Sequence, residues 1–166
     1  MPAHPPTRPP AHPLTRSLNS EQSSLNPFRW AILAGVLLLA AGLRLWGLGE
    51  LGFRYADEGT YALFGMEMLK GSRGFIYFKP GQAALTWLAF KAFGVSMLSP
   101  MLLSALLGIA SVLLIYLVTR ELYGEDAGLV SAACAAAMPY LLYYHRSSLS
   151  DGNYIFLDLL GLYLAL

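Results

Sequence analysis

One cysteine in 166 residues rules out an internal disulfide, and its setting in an alanine-rich stretch makes Cys134 a small packing residue. Charge is equally scarce. Only 13% of the residues are Asp, Glu, Lys or Arg, eleven basic against ten acidic, too few to cover the surface of a soluble domain. The balance of +1 says nothing about nucleic acid, and there is no basic stripe to point to such a partner. What stands in place of charge is apolar: 56% of the residues are hydrophobic and mean hydropathy is +0.51, the values of a polytopic membrane protein. At roughly 20 residues per crossing there is room for about four spans and some interfacial pieces.

Residues 1–27 differ from the rest. They are rich in Pro, Ser and Thr, with His4 and His12 set among prolines, and lack the apolar side chains that would offset the entropy of ordering, which predicts a disordered tail. Extended Pro-rich chain gives the two histidines no fixed geometry for a metal.

Four apolar segments come next, predicted to span at about 28–48, 101–118, 127–144 and 152–166. In the first, Arg44 near the far end is expected to snorkel to the interface. No small-x-small cleavage site succeeds it, so it reads as an uncleaved anchor. The third contains Pro139, which a membrane helix tolerates. The fourth ends inside an apolar run, so the chain reads as the N-terminal part of something larger.

Between the first two spans lies a long loop, 49–100. Within it, residues 58–69 carry Tyr61, Phe64 and Met68 at helical spacing with Gly71 as a stop, and are too short and too charged to cross, so an interfacial helix is expected. Residues 81–94 are apolar but short and carry Gln82 and Lys91. That stretch decides the topology. If it does not cross, the loops 49–100 and 145–151 share a membrane face; if it crosses, Asp151 falls on the other side. Counting basic residues leaves both orientations open, because each side carries several.

The residues able to do chemistry sit in those two loops. Asp57 and Glu58 form an acidic pair, and a carboxylate beside an apolar surface has the basicity to take a proton from an acceptor. Asp57 equally suits a helix N-cap, with Glu58 in the first turn. Lys79-Pro80, beside the aromatic residues Phe75, Tyr77 and Phe78, offers an ammonium where a lipid phosphate would lie, or an ordinary snorkelling lysine ahead of a Pro at the first helical position. His145-Arg146-Ser-Ser-Leu-Ser-Asp151 adds a guanidinium suited to bidentate phosphate binding and another carboxylate, itself able to cap the next helix. Asp158 lies within the fourth apolar run and is expected to face protein or a polar cavity near Arg44.

Taken in order, Arg44-Leu-Trp-Gly-Leu48, Tyr55-Ala-Asp-Glu-Gly-Thr-Tyr61, Phe78-Lys-Pro80 with Trp87, Phe93-Gly94, and His145 to Asp151 resemble the GT-C membrane glycosyltransferases. The resemblance is to the protein O-mannosyltransferase and aminoarabinose transferase group, and it covers residues 29–166. It implies an all-α transmembrane bundle with interfacial helices in the first outer loop, and transfer of a sugar from a polyprenyl-phosphate donor to a protein, lipid or glycan acceptor. It also implies a multi-pass protein of the plasma membrane, with a cytoplasmic tail and extracytoplasmic active-site loops.

By the same resemblance, Asp57 is the catalytic acid residue with Glu58 beside it, Asp151 belongs to the second acidic loop, and Lys79, helped by Arg146, holds the donor phosphate. Tyr61 and His145 complete the substrate loops. A divalent metal, if one takes part, would fall to Glu58 and Asp151. Gly81 stands where many relatives have a second proline, and Thr60 where the aminoarabinose enzymes have arginine. Two other readings compete: a transporter or flippase fragment in which Asp57, Asp151 and Asp158 carry protons or cations, and an inactive truncated relative.

Overall fold

The computed structural model describes residues 27–72 and 79–166. The expectations for the Pro-rich tail, and for Phe75, Tyr77 and Phe78, lie outside the described residues. Among those described there are seven α-helices and no strand: α1 (Pro27–Leu45), α2 (Ala56–Leu69), α3 (Pro80–Phe93), α4 (Leu98–Tyr123), α5 (Glu125–Ala137), α6 (Pro139–His145) and α7 (Ser150–Ala165), with a single 3-10 turn at Leu48–Glu50. This is an all-α membrane helical bundle. Residues 32–166 form one compact unit.

Two helical stretches, Pro27–Glu50 and Leu98–Tyr123, are long and apolar enough to cross a membrane, and α5 with α6 makes a third if the pair counts as one broken span. The break is at Pro139. Proline has no N–H to give to the carbonyl four residues back and its ring crowds that turn, so α5 ends at Ala137 and α6 sets off at 61° to it.

The apolar core lies between α1, α4 and α5, where Leu33 and Ala40 cluster with Val112, Tyr116, Ala132 and Ala136. α5 is Ala-rich on the side it buries, and small residues let helix backbones approach closely where lipid removes the usual hydrophobic drive. Cys134, expected to pack, instead faces outward.

A second, smaller cluster joins Leu48, just beyond α1, to Met101 and Ala105 in the first turns of α4. The chain therefore leaves α1 and enters α4 at the same end of the bundle, and the segment between them, holding α2 and α3, begins and finishes there. With 14 residues, α3 reaches about 21 Å, short of a hydrocarbon core of roughly 30 Å.

α2 stops where Gly71 was expected to stop it. Gly71 takes φ +79°, its N–H bonds to the Met68 carbonyl (3.1 Å) and the Ser72 N–H to that of Glu67 (3.0 Å), the Schellman arrangement that only a residue at ease with positive φ allows.

Two further expectations fail. Arg44 does not snorkel: it is fully buried and donates from Nη1 to the Ala136 carbonyl (3.1 Å) and from Nη2 to that of Ala135 (3.3 Å). Carbonyls at a helix end lack intrahelical partners, and inside the protein they outcompete the distant interface. Asp158 is exposed on the outer side of α7 and is not among the hydrogen-bond partners of Arg44.

Candidate active site

Asp57 does not cap its helix. Tyr55 is the N-cap of α2, which puts Asp57 second in the helix, exposed, with no side-chain hydrogen bond among the described residues. At that position a carboxylate faces the partial positive charge of the helix N-terminus. The reciprocal capping falls to Glu58, third in the helix, whose Oε2 accepts from the Tyr55 N–H (3.1 Å) and the Arg54 N–H (2.7 Å).

The other oxygen of Glu58 does more. Oε1 accepts from the backbone N–H of Ser148 (2.8 Å) and from its hydroxyl (3.3 Å), across 90 residues of sequence. Glu58 is 1% exposed, and a buried carboxylate is tolerable when N–H and O–H donors surround it as they do here. One side chain thus caps α2 and ties the first loop to the second.

A parallel tie runs from α3. Gln82 donates to the Ser148 carbonyl (2.8 Å) and accepts from the Asn153 amide (2.9 Å), both side chains buried. The loop 146–149 is therefore held by side chains from α2 and α3 together.

Lys79 is the N-cap of α3 and adopts left-handed backbone angles (φ 47°, ψ 65°). That conformation is uncommon for a residue with a side chain and stands directly before a proline, which restricts it further. Strain of this kind clusters at functional positions. Its Nζ donates to the Ser150 hydroxyl (2.7 Å), and that hydroxyl in turn lies 3.4 Å from Asp151 Oδ2. Burial works to lower the Lys79 pKa, but the Tyr61 hydroxyl and the Asp151 carboxylate outweigh it and hold the ammonium above the usual lysine value.

Asp151 does not cap α7 either; Leu149 does, and Asp151 sits exposed in the first turn. Arg146 donates to the Trp46 carbonyl (2.6 Å) and, with Arg54, lines an open cleft of about 320 Å³ walled by Leu51, Pro139, Leu142 and Tyr143. Tyr61 and His145, expected in the substrate loops, are both 0% exposed: Tyr61 against Lys79, His145 between Gly108 and Gly152. Among the described residues no three His, Cys, Asp or Glu side chains converge as a metal site would require. The Glu58 oxygens already face hydrogen-bond donors, so the Glu58 and Asp151 pair does not fit a metal in this arrangement.

Ser148, Ser150, Gln82 and Asn153 are the residues that sequence reasoning passed over as participants. Ser148 and Ser150 lay inside a motif read for its charged members, and Gln82 counted only as a polar interruption.

The family model described as dolichyl-phosphate-mannose-protein mannosyltransferase matches residues 79–166, rather more than half of the chain, and the chain belongs to that family. It is a membrane glycosyltransferase, mannosyltransferase-like and of GT-C type. No curated protein and no solved structure matches it. The matched stretch contains Lys79, Arg146 and Asp151 but begins after the acidic pair, whose link to the site is the hydrogen bonding of Glu58 to Ser148.

Proposed function

We propose that this chain carries part of an inverting glycosyltransferase site that moves a sugar from a polyprenyl-phosphate donor to a protein, lipid or glycan acceptor at the extracytoplasmic face of the plasma membrane. The observation that carries the reading is the joining of the two loops. Glu58 bonds to Ser148 and Lys79 reaches Asp151 through Ser150, so groups from both loops serve one end of the bundle.

In this reading α2 and α3 lie along the membrane face without crossing. Asp57, with no side-chain hydrogen bond among the described residues, accepts the proton of the acceptor hydroxyl, and the acceptor oxygen bonds to the anomeric carbon. The bond from that carbon to the donor phosphate oxygen breaks on the opposite side, and the lipid phosphate leaves with its electron pair. Lys79 neutralises that developing charge, with the Arg146 guanidinium as a second cation. Cationic stabilisation of a leaving anion is a large contribution in a water-poor site.

Asp151 keeps Lys79 charged and oriented. Glu58 is assigned to holding the loops together rather than to proton transfer, and Tyr61 and His145 support the loops from beneath.

The test is transfer from a polyprenyl-phosphate sugar by the full-length protein in membranes. Asp57→Asn is expected to lower turnover by about 10²–10⁴-fold, the usual contribution of a general base, with expression unchanged. Near-normal turnover would sink the assignment of the base.

A further inference from the structure

We infer that Arg44 is a positioning residue that makes the break at Pro139 possible and thereby sets where the second loop lies. Arg44 comes from α1, yet its guanidinium is spent on the far helix. The Ala135 carbonyl would take its helical hydrogen bond from the N–H of residue 139, and a proline there has none; Arg44 Nη2 supplies the missing donor at 3.3 Å. The next carbonyl, that of Ala136, is orphaned by the end of α5 at Ala137 and receives Nη1 at 3.1 Å. Nη1 also bonds back to the Ala40 carbonyl of its own helix (3.3 Å), which fixes the side chain in place.

The remaining donor, Nε, points to Nδ1 of His145 (3.4 Å), the last residue of α6. So one planar group grips both sides of the bend: the end of α5 before it and the end of α6 after it. The fork of an arginine can do this and the single ammonium of a lysine cannot. The ring of His145 is pressed onto α4 where Gly108 leaves room, since a Cβ at 108 would overlap the ring at Cγ and Nδ1. Three residues beyond His145, Ser148 meets Glu58. The 61° bend is what aims the chain there.

Arg44 touches none of the residues assigned to chemistry. Its effect on transfer would pass through loop position, and only that consequence rests on the proposed site; the grip on the break does not. The measurement therefore reads loop position directly in the full-length protein in membranes. In a Cys134→Ser background, Gly81→Cys and Tyr154→Cys mark α3 and the start of α7, which lie side by side there, and the yield of a short bifunctional thiol reagent reports their approach. Sugar transfer and heat stability are measured in parallel without the cysteine pair.

Arg44→Leu is expected to lower cross-linking and transfer by about tenfold, as loss of several buried charge-assisted hydrogen bonds would, and Arg44→Lys by less. Pro139→Ala returns an N–H to the Ala135 carbonyl, so adding it to Arg44→Leu should recover heat stability while cross-linking and transfer stay low, because the helix now runs straight. A merely structural arginine would let the double variant recover all three. Unchanged cross-linking in Arg44→Leu, or no recovery of heat stability in the double variant, would overturn the inference. Cross-linking that falls while transfer persists would uphold it and count against the proposed site.

Discussion

At the end of the bundle where α1 stops and α4 begins, buried polar side chains join the elements beside a small cluster of Leu48, Met101 and Ala105; further along α4, apolar side chains make the contacts. Glu58, Gln82, His145, Ser148 and Asn153 are all buried at the first end, each hydrogen-bonded to a partner on another element. The α1–α4–α5 core has Leu33, Ala40, Val112, Ala132 and Ala136 instead. Apolar packing is forgiving, because similar side chains can exchange places with little change in energy. A buried hydrogen-bond network is not, since a donor left without its acceptor bears the full desolvation penalty. The first end is therefore specified in detail, and the two loops are held in register there.

That contrast can be broken by mutation. The largest effect is expected at Glu58: replacement by leucine strands the Ser148, Arg54 and Tyr55 N–H groups and should cost about 3–5 kcal/mol, at about 1–3 kcal/mol for each donor left unsatisfied. The measurement is heat stability in detergent, and the isosteric Gln, which keeps one acceptor, should recover part of it. Gly108→Ala comes next, about 2–3 kcal/mol, because the added methyl overlaps the His145 ring and only movement of α6 relieves it. Its damage should extend to sugar transfer, whereas a core change of similar size should not.

Leu33→Ala supplies that core control. It leaves a cavity between α1 and its neighbours worth about 2 kcal/mol, and transfer per folded molecule should stay near normal. A loss of transfer equal to that of Gly108→Ala would erase the distinction between the regions. Tyr116→Phe removes the hydrogen bond from the Tyr116 hydroxyl to Glu125, at the end of the bundle away from the loops. It should cost about 1 kcal/mol, read by the same melt.

The smallest effect is one of pH. Because the Lys79 pKa is raised in the folded protein, its stabilising contribution is fully present below about 10.4, the unfolded lysine value, and is lost only as pH rises through the higher folded value. Donor affinity should accordingly show no lysine titration between about pH 6 and 9. A lysine titration there would mean that burial outweighs Tyr61 and Asp151 at this ammonium.

Much of this was legible in the chain itself. Long apolar runs, the stop at Gly71 and the short α3 arise from local composition, and the polar runs 53–61 and 145–151 announced themselves by standing beside apolar ones. Roles within those runs were less legible. Asp57 and Glu58 look alike in sequence, and their difference arises because one faces outward from the first turn of α2 and the other inward toward Ser148. Arg44 read as an interfacial cation, since its distance from the end of its own helix is visible in sequence and the orphaned carbonyls of α5 are not. Asp158 read as an inward-facing acid for the same reason: its apolar neighbours on α7 say nothing of which way that helix is turned.

The sequence by itself determined a helical membrane protein with two polar loops, because hydrophobic length and glycine stops act locally; Pro139 read as tolerated inside one span, and the 61° break there came from the structure. Only the tertiary structure decided that both loops meet at one end, that Glu58 joins them, that Lys79 reaches Asp151 through a serine, and that Arg44 fills the gap at Pro139. Those are hydrogen bonds between groups some 70 to 100 residues apart, and a donor carries no mark in the sequence of the acceptor that folding will bring to it.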